Sequence, residues 1–297
     1  MKILSVAIPC YNSAAYMDKC IKSLLVGGDD VEIIIVDDGS VKDNTAQIAD
    51  DYAAKYPGII KAVHQENGGH GEAVNTGLKN STGKFFKVVD SDDWVDAKSY
   101  KIVLATLKEL DRKASEGDDE LDMLVCNYVY DKVGAKHKKV IRYENVFPKD
   151  RMFTWDEIGH FKLDQYILMH SVIYRTQLLK DCGLQLPKHT FYVDNIFVFE
   201  PLPSVKNMYY LDTNFYRYFI KLNETRNQQL NWVWKAPEIS ISIKNHSLPI
   251  NIIFITLQKS MSAYFWSFTP FKCKKTTKRH ILKRKAMCAE EAFAPSA

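Results

Sequence analysis

Between Ile3 and Val89 the chain repeats one unit: a short apolar run that stops at a turn, then a stretch of helical periodicity. The apolar runs are Ile3–Pro9, Val31–Val36, Ile59–Val63 and Phe85–Val89, five to seven residues each, a length and composition that suit buried strands. Ser13 is placed to cap a helix over Ala14–Leu25, where Met17, Cys20, Ile21, Leu24 and Leu25 recur at helical spacing ahead of Gly27 and Gly28. Two more helices are expected, one from Asp43 or Asn44 to Tyr56 and one over Gly71–Lys79. A strand joined to the next through a helix makes a right-handed crossover, and strands joined in this way lie parallel with both faces covered. The expected fold class is therefore α/β, with a Rossmann-like, mostly parallel sheet and helices on both faces over residues 1–95.

Beyond residue 95 the rhythm changes. A helix over Lys98–Leu110 and a strand over Met123–Tyr130 are expected, then a hairpin turning at Val133-Gly134 and returning through Lys138, Lys139, Ile141 and Tyr143. Residues 155–220 mix short elements with many aromatics, including Tyr174, Phe197, Tyr210, Phe215 and Tyr216, which read as core in preference to a binding groove. Tyr209–Asp212 reads as a last strand. Residues 96–220 thus form a smaller mixed region attached to the first half.

The net charge of +4 hides an asymmetry: residues 221–297 hold 13 Lys and Arg against 4 Asp and Glu, while residues 1–220 hold 27 against 32. So weak an overall excess argues against a nucleic-acid partner. The basic end, with Tyr264-Phe265-Trp266 beside Lys272–Lys285, reads either as a loosely ordered tail or as a peripheral contact with an anionic membrane surface. Lys259 divides the most apolar stretch, and neither side reaches the roughly 18 uncharged residues of a spanning helix. Pro9, Tyr11 and Asn12 interrupt the only leader-like run, and the six cysteines have no metal or redox spacing. A cytoplasmic protein is expected, with a peripheral position at the inner face of the plasma membrane as the reading that the basic end adds.

In an open parallel sheet the ligand lies beyond the carboxyl ends of the strands. Those ends are polar here: Pro9-Cys10-Tyr11-Asn12, Asp37-Asp38-Gly39-Ser40, Asn67-Gly68-Gly69-His70-Gly71 and Asp90-Ser91-Asp92-Asp93. Any one of them alone is as readily a turn or a helix cap, but four on one rim make a site. The glycine loop matches neither the Walker pattern nor G-x-G-x-x-G, so ATPase and dehydrogenase chemistry lose support. Asp90, Asp92 and Asp93 crowd carboxylates that a divalent cation would neutralise, and oxygen ligands suit Mg²⁺ or Mn²⁺.

These residues resemble the family 2 glycosyltransferases with the GT-A fold, inverting enzymes that use nucleotide-diphosphate sugars. The resemblance covers residues 1–95 closely, making them the nucleotide-sugar-binding half, with residues 96–220 as the acceptor and catalytic half of the same domain. It implies that Tyr11 lies against the base with Pro9 also at the nucleotide-sugar, that Asp38 hydrogen-bonds uracil, and that Asn67, Gly71 and Asn75 line the donor pocket; His70 is extra to the motif and reads either as a diphosphate contact or as a solvent-facing loop histidine. Asp90-Ser91-Asp92 would be the D-x-D motif, Asp90 and Ser91 facing the nucleotide-sugar and Asp92 the Mn²⁺ or Mg²⁺ ion. The family's general base falls at Asp194, 102 residues after Asp92, although Val193 stands where a second acid is common. The partners implied are a donor, most simply a UDP-sugar, and a glycan or lipid-linked saccharide acceptor, as in cell-envelope polysaccharide biosynthesis. A non-catalytic nucleotide-sugar-binding module is the alternative that Val193 and the unfamiliar C-terminus support. A nucleotidyltransferase fits less well, because its glycine-rich loop would follow the first strand.

Overall fold

A computed structural model of the chain describes residues 1–162 and 165–220. The expected basic extension over 221–297 lies outside the described residues. Four strands open the chain, β1 (Leu4–Cys10), β2 (Val31–Asp37), β3 (Ile60–His64) and β4 (Phe85–Val88), separated by α1 (Met17–Leu24), α2 (Thr45–Lys55) and α3 (His70–Lys79). All three ladders among these strands are parallel, with Leu4 opposite both Val31 and Phe85 and Ile33 opposite Ile60. Their carboxyl ends therefore share one rim, as the crossover argument requires.

The chain continues through β5 (Trp94–Val95), α4 (Ala97–Ser115), β6 (Met123–Lys132), β7 (Lys139–Ile141), β8 (Met152–Phe153), β9 (Val172–Arg175), α5 (Thr176–Asp181), α6 (Val193–Phe199) and β10 (Met208–Ile220). One sheet runs β3-β2-β1-β4-β9-β6-β10-β5, with β7 paired to β6 and β8 to β10. The long ladders are parallel, and β10 follows β6 from Met208 opposite Met123 to Ile220 opposite Lys132. The antiparallel ladders of β9, β7, β8 and β5 are short. β9 joins the two halves, pairing Phe86 with Tyr174 on one side and Leu124 with Ile173 on the other.

Residues of both halves contribute to one large apolar cluster, in which Tyr174, Phe197, Tyr210, Phe215 and Tyr216 are all buried, so these aromatics are core. Cys10, Cys20 and Cys126 are buried free thiols of the same interior. The α4 helix is capped by Asp96, whose carboxylate accepts the Ser99 N–H at 3.0 Å, and its far end runs to Ser115, beyond the expected Leu110. The hairpin after β6 forms as expected, with Tyr128 opposite Ile141.

Two expectations are corrected. The first helix begins at Met17, not Ala14: the Ser13 carbonyl closes a turn by accepting the Tyr16 and Met17 N–H groups. The Ser13 hydroxyl instead takes the Tyr11 N–H at 3.1 Å and the Ser91 hydroxyl at 2.8 Å, tying two strand ends together. The last strand is not four residues but thirteen, because its β6 ladder resumes after irregularities at Asn214.

α3 lies directly on β1, and a Cβ at Gly77 would overlap that of Ala7. Gly77→Ala gains about 1 kcal/mol of helix propensity, yet it forces the helix away from the sheet, an overpacking that costs about 1–3 kcal/mol. A net loss of stability is expected, read as a lower urea midpoint at an unchanged m-value.

Candidate active site

The rim is built by strand ends that hold one another. Asn12 ends β1 in the left-handed region (φ 50°), donates its N–H to Ser40 Oγ at 2.9 Å, and accepts the Lys42 N–H on Oδ1 at 2.9 Å. Tyr11 beside it is 48% exposed, so its ring is presented to solvent at the rim. Pro9 lies inside β1 opposite Val36 and is buried. The β4 ladder stops at Ala7, so a residue with no N–H to offer sits past its end.

Asp38 is buried beneath the glycine loop, only 2% exposed. One carboxylate oxygen accepts the Gly68 N–H at 2.8 Å and Gln65 Nε2–H at 2.7 Å, and the other accepts the Gly69 N–H at 2.8 Å. Asn67 Nδ2 donates to the Asp38 carbonyl at 3.0 Å. The carboxylate thus serves as the template on which residues 65–69 fold, and Gly69 meets the demand with φ 83°.

The other side of this loop is packed against the segment leading to α6. The His189 N–H donates to the Gly68 carbonyl at 2.9 Å. Asn75 grips Leu186 with both ends of its amide, accepting the Leu186 N–H at 2.9 Å and donating to its carbonyl at 2.8 Å. Gly71 is close-packed, since a Cβ there would meet the Pro187 carbonyl at 2.8 Å and Val193 Cγ1 at 3.2 Å. The valine in place of a second acid is therefore a buried packing residue. His189 (φ 48°) and Tyr192 (φ 62°) both adopt the left-handed region in the turn before α6.

Asp194 follows in the first turn of α6. Burial pushes its carboxyl above the ordinary range; the Asn195 N–H opposes this, Asp90 adds to it and His70 opposes it. His70, Asp90 and Asp194 thus lie within electrostatic reach of one another. His70 Nε2 is 2.8 Å from Asp90 Oδ1. Burial works against the His70 imidazolium, but the Asp90 hydrogen bond and charge prevail and raise its pKa. Burial likewise works against Asp90 ionisation, and the bond to His70 keeps its carboxyl below the usual range.

The loop after β4 is fastened to β10. The Tyr216 hydroxyl donates to Asp93 Oδ2 at 2.6 Å and accepts the Asp90 N–H at 3.1 Å, while the Phe219 N–H donates to Asp93 Oδ1 at 2.7 Å. Asp93 is 2% exposed, and burial together with the Asp90 charge raises its pKa to about 8. Ligand atoms of Asp90, Asp93 and His170 lie within 4.8 Å of one another, a donor set that fits a divalent cation. Asp92 is half-buried on the same loop. Arg217 on β10 pairs with Asp96 at 3.1 Å.

Tyr216, read from the sequence only as core, belongs to this site, as do His170 and Lys87, which the sequence analysis did not single out. Lys87 left a trace, a lone charge inside the apolar run Phe85–Val89, whereas His170 left none. The Lys87 ammonium is fully buried, donates to the Met169 and His170 carbonyls at 2.6 and 3.0 Å, and is lowered by burial to about 7.

The family model "Glycosyl transferase family 2" matches residues 5–176, more than half of the sequence, and the chain belongs to that family. EpsJ, an uncharacterized glycosyltransferase of Bacillus subtilis, is 29% identical over 222 residues, covering 73% of this chain and 60% of EpsJ. YibD, an uncharacterized glycosyltransferase of Escherichia coli, is 26% identical over 246 residues, covering 77% of this chain and 66% of YibD. The chain thus spans less than two thirds of either relative. Among solved structures, S. aureus TarS 1–349 in complex with UDP-GlcNAc matches with a TM-score of 0.57 at 26% identity, over 77% of this chain and 61% of that one. The mannosyltransferase PcManGT from Pyrobaculum calidifontis, in complex with GDP-Man and Mn²⁺, shares the fold at a TM-score of 0.52 and 14% identity, over 97% of this chain and 80% of that one. The α/β architecture is accordingly of the GT-A kind expected from the sequence.

Asp38→Asn replaces an acceptor with an amide that cannot satisfy the Gly68 and Gly69 N–H groups together with Gln65. A loss of about 1–3 kcal/mol in stability is expected. Amide hydrogen exchange should show faster exchange concentrated at residues 65–70.

Proposed function

We propose that the chain is an inverting glycosyltransferase that moves a sugar from a nucleotide-diphosphate sugar, a UDP-sugar first of all, to a hydroxyl of a glycan or lipid-linked saccharide. The observation that carries this reading is that Asp194, after the turn docked on the glycine loop, lies within electrostatic reach of the His70–Asp90 pair. The TarS complexes with UDP and UDP-GlcNAc support the choice of donor.

In this mechanism the exposed Tyr11 ring receives the base, and the loop shaped by Asp38, with Asn67 at its tip, closes the pocket from the side. His70, whose imidazolium the Asp90 carboxylate favours, faces the diphosphate, and Asp90 and Ser91 border the ribose. Pro9 and Gly71 act through backbone and packing, setting the rim, and the Asn75 side chain docks the segment at Leu186. Asp194 takes the proton of the acceptor hydroxyl as that oxygen attacks the anomeric carbon opposite the diphosphate. A raised carboxyl pKa suits this task, since a more basic carboxylate removes the proton more readily. A divalent cation held by Asp92 and its neighbours would supply positive charge against the departing diphosphate. No described helix is long and apolar enough to cross a membrane. A cytoplasmic setting, with the basic 221–297 segment meeting the inner membrane face, remains part of the proposal.

Asp194→Asn should bind donor with unchanged affinity and lose about 10²–10⁴-fold in turnover, measured as nucleotide diphosphate released in the presence of acceptor. Unchanged turnover would put the base elsewhere. The same assay separates the enzyme from a non-catalytic module, which binds donor and releases nothing. Asp92→Ala should reduce transfer while leaving the melting temperature unchanged, and full activity would contradict its role.

A further inference from the structure

We propose that Asp90, Asp93 and His170 form a divalent-cation site of mixed oxygen and nitrogen ligation that fills before any nucleotide arrives. Its purpose rests on the transferase reading above, but its test does not.

The first observation is geometric. One ligand atom from each residue lies within 4.8 Å of the other two. Two ligands of one first-row ion stand up to about 4.2 Å apart when each bond is about 2.1 Å. Small side-chain adjustments therefore close the trio on an ion. Asp92, the carboxylate the sequence points to, is not one of the three.

The second observation is independent of the acids. His170 is 7% exposed, and its Nδ1 has no hydrogen-bond partner among the described residues. Buried polar atoms in native proteins are paired, and an orphan of this kind calls for an occupant.

The ring is held in place as a ligand should be. It stacks on Tyr216 at 4.8 Å and 20° between planes, and it meets the Tyr218 ring at 4.8 Å and the Tyr128 ring at 5.7 Å. The His170 carbonyl is gripped by Lys87, and Tyr216, the ring beneath, donates its hydroxyl to Asp93. A single tyrosine thus orients two of the three ligands, the supporting contact that metal sites use to fix their geometry. One imidazole with two carboxylates favours Mn²⁺, Co²⁺ or Zn²⁺ over Mg²⁺, which prefers oxygen alone.

The test is pulsed electron paramagnetic resonance of Mn²⁺ added to the full chain without nucleotide, with affinity read from the free Mn²⁺ signal. The wild type should bind one Mn²⁺ and show nitrogen coupling from an imidazole. His170→Phe, which keeps a ring among the tyrosines, should lose the coupling and weaken binding about tenfold or more. His70→Gln should keep the coupling, which excludes the other nearby histidine as its source. Mn²⁺ that fails to bind without nucleotide, a wild-type spectrum without nitrogen coupling, or coupling that persists in His170→Phe would each overturn the site. Should His170→Phe not fold, by its metal-free melting curve, the wild-type spectrum and His70→Gln still decide. Nitrogen-coupled Mn²⁺ in a chain that transfers no sugar would uphold the site while the transferase reading falls.

Discussion

Lys87 carries an ammonium into the middle of the sheet, where its hydrogen bonds go to two carbonyls and its charge lies 4.9 Å from the centroid of the Tyr216 ring. Burying an amine this deeply is costly unless it is hydrogen-bonded, and burial lowers its pKa to about 7. The geometry around it is correspondingly fixed. β4 belongs to the first half of the fold, whereas the 169–171 turn and β10 belong to the second. One side chain therefore sets the distance between the strand end that bears the aspartates and the elements that close over it. Tyr216 extends the same constraint, reaching from beside the ammonium to both Asp90 and Asp93.

A second chain of contacts sets the opposite wall. Asp38 shapes the glycine loop, the loop carbonyl at Gly68 holds His189, and Asn75 holds Leu186. The two left-handed residues His189 and Tyr192 then turn the chain into α6 at Asp194. Backbone in this region of φ is unfavourable for residues with a Cβ and persists only where the surroundings impose it. Here they do, because the loop grips the segment on one side and Val193 is buried under Gly71 on the other. The position of the candidate base is thereby tied to the loop that would hold the donor, with few freely rotating bonds between them.

The first half of the fold was legible because its cause is local. Alternation of apolar runs and helical stretches is a property of sequence neighbours, so β1 to β4 fell within a residue of their expected bounds. The polar strand ends followed from topology. What stayed hidden depends on long-range pairing. Asn75 and Asp38 carry the right chemistry to touch a ligand, yet in the fold their hydrogen bonds go to backbone more than a hundred residues away in one case and about thirty in the other. Pro9 was expected at the pocket surface and is buried in β1 because strand pairing runs past it. The continuity of β10 depends on a ten-residue ladder with β6 that neither segment announces alone. His170 sits in a segment with no periodicity of its own, and only the convergence of β4, β6 and β10 brings three tyrosines and two carboxylates to its ring.

The central claim is that the rim where β1 to β4 end is a nucleotide-diphosphate pocket, and isothermal calorimetry of UDP, GDP, CDP and ADP against the full chain, with and without Mn²⁺, tests it most directly. The account predicts that UDP binds most tightly of the four and that Mn²⁺ strengthens its binding. If none of the four binds under either condition, the rim of aspartates and its glycine loop serve the fold alone, and the account of the site is wrong.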